Sequence, residues 1–107
     1  MGSDQAPLPV PGQLVYVLKG KESGSYFVIV RLIDHRFVEI ADGDKRKFDN
    51  AKKKNISHLE LQTYISVEVQ KSLREIGRVT NGKLRFAIAH FLDGEISNKR
   101  KGESADG

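Results

Sequence analysis

The sequence predicts a mainly β protein with α-structure at its C-terminal end: a small five-stranded barrel covered by two C-terminal helices. Three observations predict it. Over residues 14–61 the chain breaks into short runs rich in β-branched and aromatic residues, separated by Gly- and Asp-containing turns. Those runs are apolar on both faces, so the outside of the barrel needs a cover. After Gln62 the apolar spacing lengthens from two residues to three and four, the period of helices that would supply the cover.

Residues 1–11 hold all three prolines, Pro7, Pro9 and Pro11, and read as a flexible lead-in. A barrel unit follows over 12–62. Its first strand is at 14–18, its second at 26–33, and the polar turn between them carries Gly20 and Gly24. Asp34-His35 leads into a third strand at 37–40. Asp42-Gly43, a dipeptide suited to tight hairpins, leads into a fourth strand at 45–48. Residues 57–61 close the set. Alternation assigns Val15, Val17, Val28, Val30, Leu32, Val38 and Ile40 to the interior. It leaves Leu14, Tyr16, Phe27, Ile29 and Phe37 outside, beneath the helices.

A helical appendage over 63–94 packs on that exterior. Its first helix, at 64–76, carries Ile65, Val69, Leu73 and Ile76 on one stripe, with Thr63 as cap and Gly77 as stop. The second, at 81–92, is capped by Thr80 and carries Leu84, Ile88 and Phe91 on one stripe. Phe86 points away from that stripe, beside Lys83 and His90. Residues 95–107 are polar and read as a flexible tail.

Charge is the clearest functional signal. The 107 residues carry 18 Lys and Arg against 14 Asp and Glu, a net +4. Residues 45–54 alone hold six cations against Asp49, a net +5, which leaves the rest of the chain at −1. The protein is therefore near neutral with one basic stretch, not basic throughout.

Several function classes lack their residues. There is no cysteine for disulfides, zinc-thiolate sites or thiol chemistry. No apolar run exceeds five residues, far short of a membrane span, and no charged-then-apolar leader opens the chain. A reducing cytoplasm is the expected location. His35, His58 and His90 lie in separate segments, none at metal-ligand spacing. The turn at 19–25 is no phosphate-binding loop, because Val15 stands where a glycine is required and Glu22 follows Lys21 where Ser or Thr is needed. Asp42, Asp44 and Asp49 have the wrong spacing for a calcium loop. No nucleophile has a plausible base. The expectation is a protein that is not an enzyme, with no cofactor, metal or small-molecule substrate.

Lysines held on a rigid strand suit a phosphate backbone, where affinity comes from neutralised phosphates and released counterions. Lys45, Arg46, Lys47, Lys52, Lys53 and Lys54 are the candidate phosphate contacts. Lys19 and Lys21, flanking Gly20, extend the patch, and His58 is peripheral to it. Phe86 is a candidate protein contact.

The run GQLVYVLKGKESGSYFVIVRLIDHRFV, residues 12–38, resembles a KOW motif: a strand, a Gly-containing loop and a second strand. The matching positions are Val15 and Val17, Gly20 and Gly24, and Val28 and Val30. Glu22-Ser23 makes this loop less basic than is usual for the motif. Residues 40–44, Arg46-Lys47, residues 52–55 and His58-Leu59 continue the resemblance, as does TNGKLRFAIAHF at 80–91. Together they are similar to the KOW-containing RNA-binding proteins of bacteria, which in turn resemble the fourteenth-e family of archaeal and eukaryotic large-subunit ribosomal proteins. The resemblance implies an SH3-like barrel and ribosome-linked RNA binding in the cytoplasm. The expected partners are ribosomal RNA and ribosomal proteins, bound by a monomer and without a membrane. The alternative is a KOW-type protein-binding adaptor in translation or transcription, acting through Phe86.

Overall fold

The computed structural model describes residues 8–106, with side chains over residues 8–96. The expected lead-in at 1–11 thus lies largely outside the described residues, whereas the expected tail at 95–107 is described in its backbone to residue 106 and continues the second helix. Five strands form one antiparallel sheet: β1 (Gln13–Val17), β2 (Tyr26–Leu32), β3 (Phe37–Ala41), β4 (Lys52–Asn55) and β5 (Leu59–Ile65). Its order is β4-β3-β2-β1-β5. Two helices follow, α1 (Val67–Ile76) and α2 (Asn81–Asp106). The architecture is mainly β with C-terminal α.

Chain length forces the sheet to curl. Laid flat, the β4 and β5 edges would stand about 19 Å apart, four strand spacings of roughly 4.8 Å. Only the 3-10 turn Ile56–His58 joins them. Even fully extended, the four steps from Asn55 to Leu59 reach no more than about 14 Å. Curling also explains the burial of one face. Val15, Val17, Phe27, Ile29, Val38 and Ile40 are each 0% exposed, and they form one apolar cluster with Leu59, Leu61 and Ile56. Among the described residues no ladder joins β4 to β5, so the expected barrel is met as a curled, open sheet.

The helices cover the convex face, as the apolar exterior requires. There Leu14, Val28, Val30 and Ala41 pack with Val69 of α1, Val79, and Leu84, Ala87 and Phe91 of α2. Burying an apolar side chain of this size contributes roughly 1.5–3 kcal/mol. One expectation is reversed here. In β2, Phe27 and Ile29 belong to the concave cluster, while Val28 and Val30 lie under the helices. Alternation within a strand gives two sets but not which set faces in. The pairing decides it: Val15 stands opposite Phe27, and Leu14 opposite Val28. Leu32 lies beyond a bulge between Ile29 and Arg31 and is exposed.

Element boundaries also differ, and the fifth strand runs over Leu59–Ile65 in place of 57–61. The fourth strand is at Lys52–Asn55 and not at 45–48, because the chain after β3 spends its polar groups locally. Asp42 Oδ1 accepts from the Asp44 and Arg46 amides at 2.9 and 2.8 Å. The Asp42 and Gly43 amides both donate to the Arg46 carbonyl, at 2.9 and 3.1 Å. A 3-10 turn, Phe48–Asn50, then leads into β4. The first helix starts late. Ile65 still pairs with Gln13 in β5, and Ser66, not Thr63, caps α1 by accepting from the Val69 amide at 3.2 Å. Gly77 ends α1 as expected, in the left-handed conformation at φ 73°. Thr80 accepts from the Lys83 amide at 3.2 Å at the start of α2, whose backbone continues well past residue 92.

Candidate functional site

The basic residues come from three segments that the sheet brings to one end. The first is the 18–25 loop between β1 and β2, closed at its base by the Gly24 amide donating to the Val17 carbonyl at 2.8 Å. Lys19 and Lys21 are exposed on it. The second is the 42–47 turn, with Lys45 and Lys47 exposed and Arg46 half-buried. The third is β4, the sheet edge built from Lys52, Lys53, Lys54 and Asn55. A run of lysines on an edge also discourages pairing with another chain.

Glu22 of the first segment joins all three. Its Oε2 accepts from Arg46 at 3.2 Å, and its Oε1 lies 3.7 Å from Lys54 Nζ. The Glu22 and Lys54 side chains are each only 9% exposed. Gly20 lies directly over this pair, since a Cβ there would collide with Lys54 Nζ. Burial pushes the Glu22 carboxyl up, but the hydrogen bond from Arg46, its own backbone amide and the charges of Lys52 and Lys54 outweigh that and hold it below the usual range. A second tie runs from Lys45 Nζ to Ser25 Oγ at 3.4 Å.

The turn is anchored on its other side by α2. Arg85 donates to the Gly43 carbonyl, and Asn81 Oδ1 accepts from the Phe48 amide at 2.8 Å. Gly43 sits at φ 79° so close to Asn81 that a Cβ would run into its carbonyl oxygen. The backbone carrying Lys45, Arg46 and Lys47 is thereby held between the first loop and the second helix.

The candidate residues do not all share this surface. Strand alternation puts Lys52 and Lys54 on the side of Ile40 and Val38, their partners in β3. Lys53 stands opposite Glu39, on the other face, with its ammonium 4.6 Å from the centre of the Phe37 ring. Lys54 points inward to Glu22. His58, in the 3-10 turn, lends its carbonyl to the Leu18 amide at 2.8 Å and so supports the base of the first loop. Phe86 is remote from the lysines in its contacts: 63% exposed on the outer side of α2, it stacks on His90 with ring centres 5.8 Å apart.

Three residues of the site escape a reading by charge and spacing. Glu22 bears the wrong sign for a basic patch, although a lone carboxylate directly after Lys19 and Lys21 in the same loop is a visible signal. Arg85 and Asn81 lie roughly 40 residues from the turn they hold, and no local pattern marks them. Among the described residues no group of three or more His, Asp and Glu side chains is placed to hold a metal ion, and no helix is long and apolar enough to cross a membrane.

No family model matches the chain. Over 70 residues it is 46% identical to the "Putative ribosome-binding protein YbzG" of Bacillus subtilis (strain 168), a match covering 65% of this chain and 95% of that protein. The chain belongs to the YbzG family. In this member of the YbzG family, the lysine-bearing loop, turn and edge strand form one surface organised about a single carboxylate.

Proposed function

We propose that this protein is a non-enzymatic, ribosome-associated RNA-binding protein of the cytoplasm, whose curled sheet serves as a KOW-type, SH3-like barrel over 12–62 with a helical appendage over 63–94. It contacts the phosphate backbone of structured ribosomal RNA, as a monomer beside ribosomal proteins and with no cofactor. Lys19, Lys21, Lys45 and Lys47 are the outward phosphate contacts, with half-buried Lys52 beside them and Arg46 and Lys54 behind.

The observation that carries this reading is the joining of the 19–25 loop, the 42–47 turn and β4 through Glu22 and Ser25. It concentrates four exposed lysines on backbone tied down at several points. Fixed ammonium groups release counterions from phosphates without first losing much conformational freedom. The name of the YbzG relative, a ribosome-binding protein, supports the same partner.

The test is binding to purified ribosomal subunits over a series of salt concentrations. Neutralising about five phosphates gives a slope of log affinity against log salt of roughly −3 to −5. Replacing Lys19, Lys21, Lys45 and Lys47 together by alanine is expected to flatten that slope by about 3. Unchanged affinity and slope in the quadruple variant would remove the assignment.

A further inference from the structure

We propose that Glu22 is the specificity-determining residue of the basic surface: it draws Arg46 and Lys54 inward and leaves phosphate contact to outward lysines on backbone that it holds in place. This rests on the RNA-binding reading above and deepens it. The starting point is that a carboxylate at the centre of a polyanion-binding surface is unfavourable for attraction alone. It cancels a positive charge, and its field opposes an arriving phosphate. A surface selected only for attraction would have no use for it.

Glu22 is nonetheless built into the site. Its side chain is 9% exposed, and it contacts cations from two other segments, Arg46 at 3.2 Å and Lys54 at 3.7 Å. Its Oε1 is buried with no hydrogen-bond donor, so Lys54 is held by charge while Arg46 is held by geometry. Arg46 is the cation here best shaped to grip a phosphate with two parallel bonds. Glu22 occupies one side of its guanidinium, and the Asn50 carbonyl accepts from the other at 3.4 Å. The residue most able to seize any phosphate is therefore already engaged.

Engagement has a second effect. With Lys54 beneath Gly20 and Arg46 beside Glu22, the loop bearing Lys19 and Lys21 is pinned to the sheet edge and to the turn bearing Lys45. Charges in fixed positions match a folded RNA, whose phosphates are also fixed. Charges on a loose loop adapt to any polyanion. Glu22 thus trades raw attraction for discrimination, by holding two cations back and the others still.

The experiment compares the wild type, E22Q and E22Q/K54M for binding to purified ribosomal subunits and to poly(U), each over a salt series. In E22Q, Arg46 and Lys54 become available. The poly(U) slope is expected to steepen by about 1 to 2, poly(U) affinity to rise, and the subunit-to-poly(U) affinity ratio to fall at least tenfold. In E22Q/K54M one freed cation is gone, so the poly(U) slope returns by about 0.7 while the ratio stays low. A role confined to stability would lower the melting temperature and leave ratio and slopes unchanged at low temperature. A ratio that falls less than tenfold in folded E22Q overturns the proposal. Should E22Q fail to fold with its unpaired ammonium, E22Q/K54M lacks that ammonium, and the same threshold in it decides. A wild type that binds subunits no better than poly(U) has no preference for Glu22 to set and also overturns the proposal, whereas a wild type that binds neither removes the RNA-binding reading itself.

Discussion

Glu22 and Asp34 are both carboxylates in loops between strands, and both are held below their ordinary pKa, for different reasons. At Asp34 the cause is backbone geometry: Oδ1 accepts from the Arg36 and Phe37 amides at 2.8 and 2.9 Å. At Glu22, burial acts upward and is overcome by Arg46, Lys52 and Lys54. A carboxyl whose folded pKa is depressed stabilises the fold above its unfolded pKa and loses that contribution as pH falls through the folded value. For Glu22 the unfolded value is about 4.5. Stability is therefore expected to be level from neutral pH down to that point and to decline below it. Glu22→Gln should make the acid decline shallower without abolishing it, since Asp34 titrates there too. Urea unfolding at a series of pH values measures this, and identical acid limbs in the two proteins would remove the linkage assigned to Glu22.

At the scale of elements, α2 shows what was legible. Its cap, its inward stripe and its outward aromatic all follow from spacing, and the structure has Thr80 bonded to Lys83, Leu84 fully buried and Phe86 63% exposed. Leu84→Ala is expected to cost about 2–5 kcal/mol, because Leu84 fills the space between α2 and the sheet. Phe86→Ala should stay within about 0.5 kcal/mol of the wild type. Denaturant titration of the two variants tests both at once, and equal losses would contradict the packing. Periodicity served less well where an element ends. Ile65 fits a helical stripe with Val69, yet it is the last residue of β5, because Gln13 offers it a partner. Residues 45–48 look strand-like, yet Asp42 and the Arg46 carbonyl turn the backbone before a ladder can form. In both places a contact from outside the window, or a side chain bonding its own backbone, overrides propensity.

At the scale of the whole molecule, one sheet separates two apolar clusters. The concave cluster is made of the sheet and Ile56, and the convex one is shared with both helices. Leu14 and Val15 are neighbours in sequence and belong to opposite clusters, as do Phe27 and Val28. Loosening either cluster therefore disturbs strands that support the other, so the folded unit is expected to unfold in one transition. Far-UV circular dichroism reports the helices. Tyrosine fluorescence reports the sheet, whose strands carry all three tyrosines, Tyr16, Tyr26 and Tyr64, the last two also against Phe91 of α2, in a protein with no tryptophan. Coincident curves in urea are expected, and a helical signal lost before the tyrosine signal would show the helices to be separable.

By itself the sequence determined the class of the fold, the need for a helical cover and the place of the charge, because composition and periodicity are local quantities. It did not determine which face of β2 looks inward, since a strand's alternation is indifferent to its partner until Val15 is set against Phe27. Nor did it determine which basic residues face outward. Six cations within ten residues read as one strip, but the strip bends at the 42–47 turn and divides by strand face at β4. One lysine lies over Phe37 and another lies buried against Glu22. Only the tertiary structure decided that division, because the orientation of a charge depends on which distant group is brought beside it.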